Sequence, residues 1–157
     1  DRLVYEDELV GLDPLPPSAS RRLEYRDYQQ LDARSLGLNG GPQVAVIYAS
    51  GTINFGDSGL DVSGSEIVGS QAMVRAIRAA WKDSSVEAIV LRIDSPGGVA
   101  IASDIIWREL ELARQEKPVV ASMSDVAASG GYWLACAGDE IYAEESSIIG
   151  SIGTKIH

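Results

Sequence analysis

Ser129 is the residue of this chain best placed to act as a nucleophile. It stands in Ala127-Ala128-Ser129-Gly130-Gly131-Tyr132, shortly after the apolar run Val119-Val120-Ala121. A serine at the turn between a strand and a helix projects its hydroxyl beyond the sheet. The first turn of the helix carries N–H groups without backbone acceptors, and such groups stabilise a developing oxyanion. Glycine after the serine lets a substrate carbonyl come close to the backbone. A second turn, Ser95-Pro96-Gly97-Gly98, also follows an apolar run and offers a further N–H. Two donors from separate turns aimed at one point make an oxyanion hole. The plainer alternative is that Ser129 caps a helix and that Gly97 and Gly98 form an ordinary turn. The spacing alone leaves both open.

A serine hydroxyl attacks only when a base takes its proton. The one histidine, His157, is the last residue, which argues against a Ser-His-Asp triad inside the chain. Lysine serves instead where burial lowers its pKa, and there are three: Lys82, Lys117 and Lys155. Lys82 ends a predicted helix and Lys117 precedes a predicted strand, so both read as solvated. Lys155 lies near the chain end, within reach of a sheet edge, and it too reads as solvated rather than as the base. The carboxylates Asp94, Asp125 and Glu145 are candidates for acid–base chemistry of another kind, against capping or solvation. Cys136 lies seven residues after Ser129, on roughly the same side of a helix, and reads as a small buried apolar residue. No His/Cys cluster has metal-ligand spacing, and no cofactor is expected.

The elements that must position these turns are legible from Gln43 onward. Gln43 to Ala49 is a short β-branched run that reads as a buried strand. The polar, Gly-rich stretch 52–66 reads as loop, with Ser65, Glu66 or Ser70 as the cap of the next helix. In that helix Met73, Ile77, Ala80 and Trp81 share one stripe. Residues 87–93 form a second strand, followed by the 94–98 turn. A second helix places Ala102, Ile106, Leu110 and Ala113 on one face, with Arg108, Glu109, Glu111 and Arg114 mostly outward. Residues 117–123 form a third strand, running into the Ser129 turn. A short helix ends at Gly138, and 139–144 and 146–153 supply two more strands. Strands that are nearly continuous apolar runs, alternating with helices, predict an α/β fold with a mainly parallel sheet. Both Gly-rich turns then fall at the carboxyl edge of the sheet, where such folds gather functional groups.

Residues 1–42 differ. They hold the Pro/Ser-rich stretch 11–20, the Gly-rich stretch 37–42 and two similar segments, 2–7 and 22–27. Two copies fall short of a repeat array, and the region reads as a connecting segment ahead of a domain spanning 43–157. The 157 residues suffice for one domain with a sizeable core. The net charge of −10 argues against nucleic-acid partners and against electrostatic docking on anionic lipid. One cysteine excludes an intrachain disulfide, and no apolar run approaches the length of a membrane span.

Four blocks taken together, Val44–Ile53, Ala88–Gly98, Lys117–Trp133 and Ile148–Thr154, resemble the signal peptide peptidase A (protease IV) family. These are Ser-Lys peptidases of the Clp protease/crotonase superfamily, built of repeated β-β-α units. The resemblance covers about residues 43–154, and Ser124-Asp125 departs from the usual pattern. It implies Ser129 as nucleophile and Gly98 and Gly130 as the oxyanion-hole N–H donors, with Gly97 adjoining. It implies no base here, because Lys155 stands where the family has an apolar residue. The start of the chain looks like the end of a preceding half and a connector. The resemblance therefore predicts the serine-bearing half of a longer enzyme, with its lysine outside these residues. It further implies cleavage of signal-peptide remnants and other apolar peptides, and a ring-like homo-oligomer. The enzyme would be anchored in the bacterial inner membrane by segments absent here, its site on the extracytoplasmic side. Two rival readings stay open. A crotonase-type acyl-CoA enzyme shares the fold but relies on carboxylates. A non-catalytic assembly half would use Trp81, Trp107 and Trp133 as interface anchors, unless these pack in the core.

Overall fold

Valine, isoleucine and alanine alternate along the long strands because one face of the sheet is packed under helices. In the computed structural model, which describes residues 41–153, β1 (Gln43–Ser50), β5 (Val86–Ser95), β6 (Val119–Ala128) and β7 (Glu140–Tyr142) form one sheet in the order β1-β5-β6-β7. All these pairings are parallel, and β8 (Ile148–Gly150) pairs in parallel with the end of β6, Ala128 opposite Gly150. The expected α/β architecture with a mainly parallel sheet is therefore the observed one.

Two helices cover one face. α1 (Ser70–Lys82) buries Met73, Ile77 and Ala80, and α2 (Ala100–Arg114) buries Ala102, Ile106, Leu110 and Ala113. These side chains share a single core with Ile47, Ala49, Ile89, Leu91, Ile93, Val119, Ala121 and Met123. Each fully buried aliphatic side chain contributes about 1.5–3 kcal/mol relative to exposure. Trp81 and Trp107 pack against this core, which favours core packing over interface anchoring for both.

Four expectations are corrected. Residues 52–66 are not all loop: β2 (Thr52–Asn54), β3 (Gly59–Leu60) and β4 (Glu66–Gly69), which begins at Glu66, form a second small sheet in the order β2-β4-β3. Its strands are too short for an apolar pattern to register in the sequence. Neither Ser65, Glu66 nor Ser70 caps α1, whose N-cap is Gly69 without a side-chain bond. Glu109 is not outward but 4% exposed, and accepts hydrogen bonds from Arg78 at 2.6 and 3.0 Å and from Trp81 Nε1 at 3.1 Å. Finally, β1 is not buried on both faces: Val44, Val46 and Tyr48 are exposed. The expectations placed on residues 1–40 and on Lys155 and His157 lie outside the described residues.

Candidate active site

β6 runs five residues further than its apolar core suggests, through Ser124 to Ala128, and delivers Ser129 directly to the start of α3 (Gly130–Ala135). Ser129 has φ +50° and ψ −116°, a left-handed conformation that costs a non-glycine residue of order 1–3 kcal/mol. Its backbone is held from both sides. The Ser129 N–H donates to Gly150 O at 2.9 Å, and Ser129 O accepts from Trp133 N–H at 2.9 Å. The side chain stands at the N-cap position yet makes no capping bond. This separates the two readings of the motif, because a capping serine turns its hydroxyl to the helix amides. Among the described residues the Ser129 hydroxyl has no hydrogen-bond partner.

The second turn is built around Gly97 and Gly98. Buried Ser95 accepts the Gly97 N–H through its Oγ at 3.1 Å. Ile53 of β2 clamps the outside of the turn: its N–H donates to Gly97 O at 2.8 Å and its O accepts Val99 N–H at 2.9 Å. Gly97 has φ +96°, and a Cβ there would lie 2.6 Å from Gly130 N and 2.8 Å from Ser129 Cβ. The two turns are thus in contact, and only glycine admits that approach. A Cβ on Gly98 would meet Ile53 O at 2.0 Å. Among the described residues the amides of Gly98 and Gly130 have no acceptor.

Gly98, Ser129 and Gly130 line one cavity of about 350 Å³, together with Ala100, Tyr132, Trp133, Cys136, Ile152 and Gly153. Among the described residues no charged side chain lines it. The structure therefore brings together all four residues singled out from the sequence: Ser129, Gly130 and Gly98 on the wall, with Gly97 behind them. Chemically, a free hydroxyl beside two unpaired N–H donors in an apolar recess suits attack on a carbonyl whose oxygen gains charge.

Other candidates separate from this cavity. Lys117 is not merely solvated: its ammonium donates to Ala80 O at 3.2 Å and also to Asp83 O and Val86 O, closing the end of α1. The ten-residue strand β6 stands between it and Ser129, roughly 30 Å of extended chain. Lys82 lies at the same remote end, its ammonium 5.3 Å from the Trp81 ring centroid. Asp94 accepts Val126 N–H at 3.2 Å, and Asp125 and Glu145 are exposed; none lines the cavity. Cys136 is corrected from buried to exposed, on the cavity wall. Trp133, 37% exposed, is a wall residue as well. Sequence reasoning missed Ser95 and Ile53, which hold the glycine turn. The serine two residues before Gly97 was the available signal for one; no local signal marks the other. No group of metal-binding side chains occurs among the described residues.

Comparison with known proteins bears on this geometry. A family model described as peptidase family S49 matches residues 111–156, which include Ser129. The chain is 42% identical over 155 residues to "Serine protease SPPA, chloroplastic" of Arabidopsis thaliana, a match covering 95% of this chain and 23% of that protein. It is 43% identical over 133 residues to "Protease 4" of Haemophilus influenzae, covering 83% of this chain and 21% of that protein. The chain thus spans less than a quarter of these curated relatives. Among solved structures, the 1510-N membrane-bound stomatin-specific protease, in complex with a substrate peptide, superposes with a TM-score of 0.54 at 23% identity. That match covers 72% of this chain and 46% of the other, and it shows a shared fold.

Proposed function

The chain belongs to peptidase family S49, and from that premise we propose that it is the nucleophile-bearing part of a serine endopeptidase. One observation carries the reading. Ser129 is held at positive φ with its hydroxyl uncapped, beside the unpaired amides of Gly98 and Gly130, on the wall of one apolar cavity. In this reading Ser129 Oγ attacks the scissile carbonyl, and the Gly98 and Gly130 N–H groups receive the oxyanion. A base takes the Ser129 proton and passes it to the leaving amine. Water then releases the acyl group by the same route.

Neither Lys82 nor Lys117 is placed to be that base. The proposal therefore assigns the role to a lysine outside the described residues, in a longer protein of which this chain is a part. The cavity's apolar lining supports apolar or small-side-chain peptides, signal-peptide remnants among them, as substrates. The relatives' names support the peptidase class, and the extracytoplasmic inner-membrane setting rests on resemblance alone. No helix among the described residues is long and apolar enough to cross a membrane. A crotonase-type reading finds less support, because no carboxylate among the described residues lines the cavity.

The test is peptide hydrolysis. In the longer protein, Ser129→Ala lowers kcat/KM by about three orders of magnitude or more. The 157-residue chain assayed alone gives no turnover. Turnover by the chain alone that vanishes on Ser129→Ala overturns the assignment of the base elsewhere. Undiminished turnover in the longer Ser129→Ala protein overturns the serine mechanism itself.

A further inference from the structure

Each oxyanion donor belongs to a peptide unit whose carbonyl is already engaged. In a planar trans unit the carbonyl and the N–H point in opposite directions. Gly97 O accepts Ile53 N–H at 2.8 Å, which directs the Gly98 N–H of the same unit away from β2. Ser129 O accepts Trp133 N–H at 2.9 Å, which directs the Gly130 N–H back out of α3. Direction alone does not make a hole, because the two amides must also converge on one oxygen at hydrogen-bond distance. Their separation is set from behind the cavity. A Cβ on Gly130 would lie 2.4 Å from Ser103 Oγ and 3.2 Å from Ile53 Cδ1, so both side chains abut the Gly130 backbone. Both residues are fully buried, Ile53 in β2 and Ser103 in the first turn of α2, and neither lines the cavity.

The same two residues reach the other donor. Ser103 Oγ donates to Val99 O at 3.1 Å, and the Val99 N–H donates to Ile53 O at 2.9 Å. Ile53 N–H returns to Gly97 O, and Gly97 packs against Gly130 N. The contacts close a circuit, Gly130–Ser103–Val99–Ile53–Gly97, and Gly98 is held within it between Gly97 and Val99. A buried serine on a helix commonly bonds the carbonyl four residues back, and a buried isoleucine is ordinary core. What sets these two apart is that both rest on the backbone of one donor while fixing the turn that carries the other. We propose that Ile53 and Ser103 are positioning residues for the oxyanion hole: they fix the separation of the Gly98 and Gly130 amides without touching substrate. This inference rests on the peptidase reading and deepens it. Removing Cδ1 from Ile53 or Oγ from Ser103 takes away a backstop, and in a close-packed interior a neighbour shifts toward the space. A donor that shifts loses more against the oxyanion than against the ground-state carbonyl, so the loss falls on the transition state.

Steady-state hydrolysis of an amide-linked peptide by the longer protein tests it, with Ile53→Val and Ser103→Ala measured beside Ile77→Val. Ile77 on α1 is as fully buried as Ile53, does not line the cavity, and is not among the atoms nearest to Gly97, Gly98 or Gly130. It loses the same carbon, so its Tm controls for destabilisation alone. The expected result is a fall in kcat of about tenfold in Ile53→Val and in Ser103→Ala, with wild-type kcat in Ile77→Val. KM stays within about twofold throughout, the split that marks an interaction made in the transition state. Ser103→Ala carries the test alone if Ile53→Val fails to fold. Wild-type kcat in the folded Ile53→Val and Ser103→Ala proteins overturns the proposal. So does a rise in KM at constant kcat, or an equal fall in kcat in Ile77→Val. Ser129→Ala separates these failures from failure of the peptidase reading. Turnover lost in Ser129→Ala but kept at wild-type level in the other variants leaves Ser129 as the nucleophile and removes only the positioning role. Turnover kept in Ser129→Ala removes both.

Discussion

The two ends of the main sheet solve the same topological problem in opposite ways. At the amino end, every turn is tied down. Lys117 closes three carbonyls at the end of α1, and Asp139 accepts the Val119 N–H at 2.9 Å and Arg114 Nε at 2.7 Å. At the carboxyl end, the turns are equally well anchored, by the backbone of Ile53 and of Gly150 and by the Ser95 hydroxyl. Yet they leave a serine hydroxyl and two amides without partners and hold Ser129 at positive φ. Groups with no acceptor and a residue in a costly conformation persist only where the surrounding structure enforces them. The contrast distinguishes a turn that stabilises from a turn that is kept available for a ligand.

The largest effect expected from breaking this contrast is at Ser129 itself. Ser129→Gly removes the hydroxyl and also the strain. It abolishes peptide hydrolysis in the longer protein while raising stability by about 1 kcal/mol, read as a higher urea midpoint. A lower midpoint would mean that the positive φ stores no strain. Next comes Gly97→Ala, whose added methyl would press on Gly130 N and Ser129 Cβ. Hydrolysis falls about a hundredfold and stability drops by more than about 1 kcal/mol, with both losses visible in one preparation. At the opposite end, Lys117→Met strips three carbonyls of their donor. It destabilises by about 1–3 kcal/mol but leaves kcat/KM of the folded longer protein unchanged; a selective fall in kcat/KM would erase the distinction between the two ends.

The smallest effect is on pH dependence, and it belongs to the tied regions. The Arg78 guanidinium, bonded to Glu109, holds its carboxyl below the usual glutamate range against the opposing effect of burial. The Val119 N–H, then Arg114, does the same for Asp139. A carboxylate with a depressed folded-state pKa contributes stability above its unfolded pKa and loses it as pH falls through the folded value. Thermal stability should therefore decline as pH drops below the ordinary carboxylate range, and less steeply in Glu109→Gln. An unchanged slope in that variant would remove Glu109 from the account.

Much of this was legible in the chain. Strands β1, β5 and β6 announce themselves as β-branched runs, and the inner stripe of α2 as Ala102, Ile106, Leu110 and Ala113, because burial on one face imposes a period. The two glycine turns stand out because few other residues permit their backbone. What escaped notice lacks a local signature. β2, β3 and β4 are two to four residues long, too short for alternation to emerge from a Gly-rich background. Glu109 sits on α2 like a solvated residue until Arg78 arrives from α1. Cys136 was placed on the right side of its helix, but seven-residue spacing cannot say whether that side meets core or cavity.

The amino-acid sequence by itself determined the element types, the alternation that makes the sheet parallel, and a serine between small residues at the end of a strand. Those follow from periodicity and steric permission, which act over a few neighbours. Only the tertiary structure decided that the serine is uncapped, that Gly97 abuts Ser129 and Gly130, and that Arg92 of β5 meets Ser122 and Ser124 of β6. The last two depend on groups thirty or more residues apart meeting in space, and no local pattern encodes whether such a meeting leaves a polar group satisfied or free.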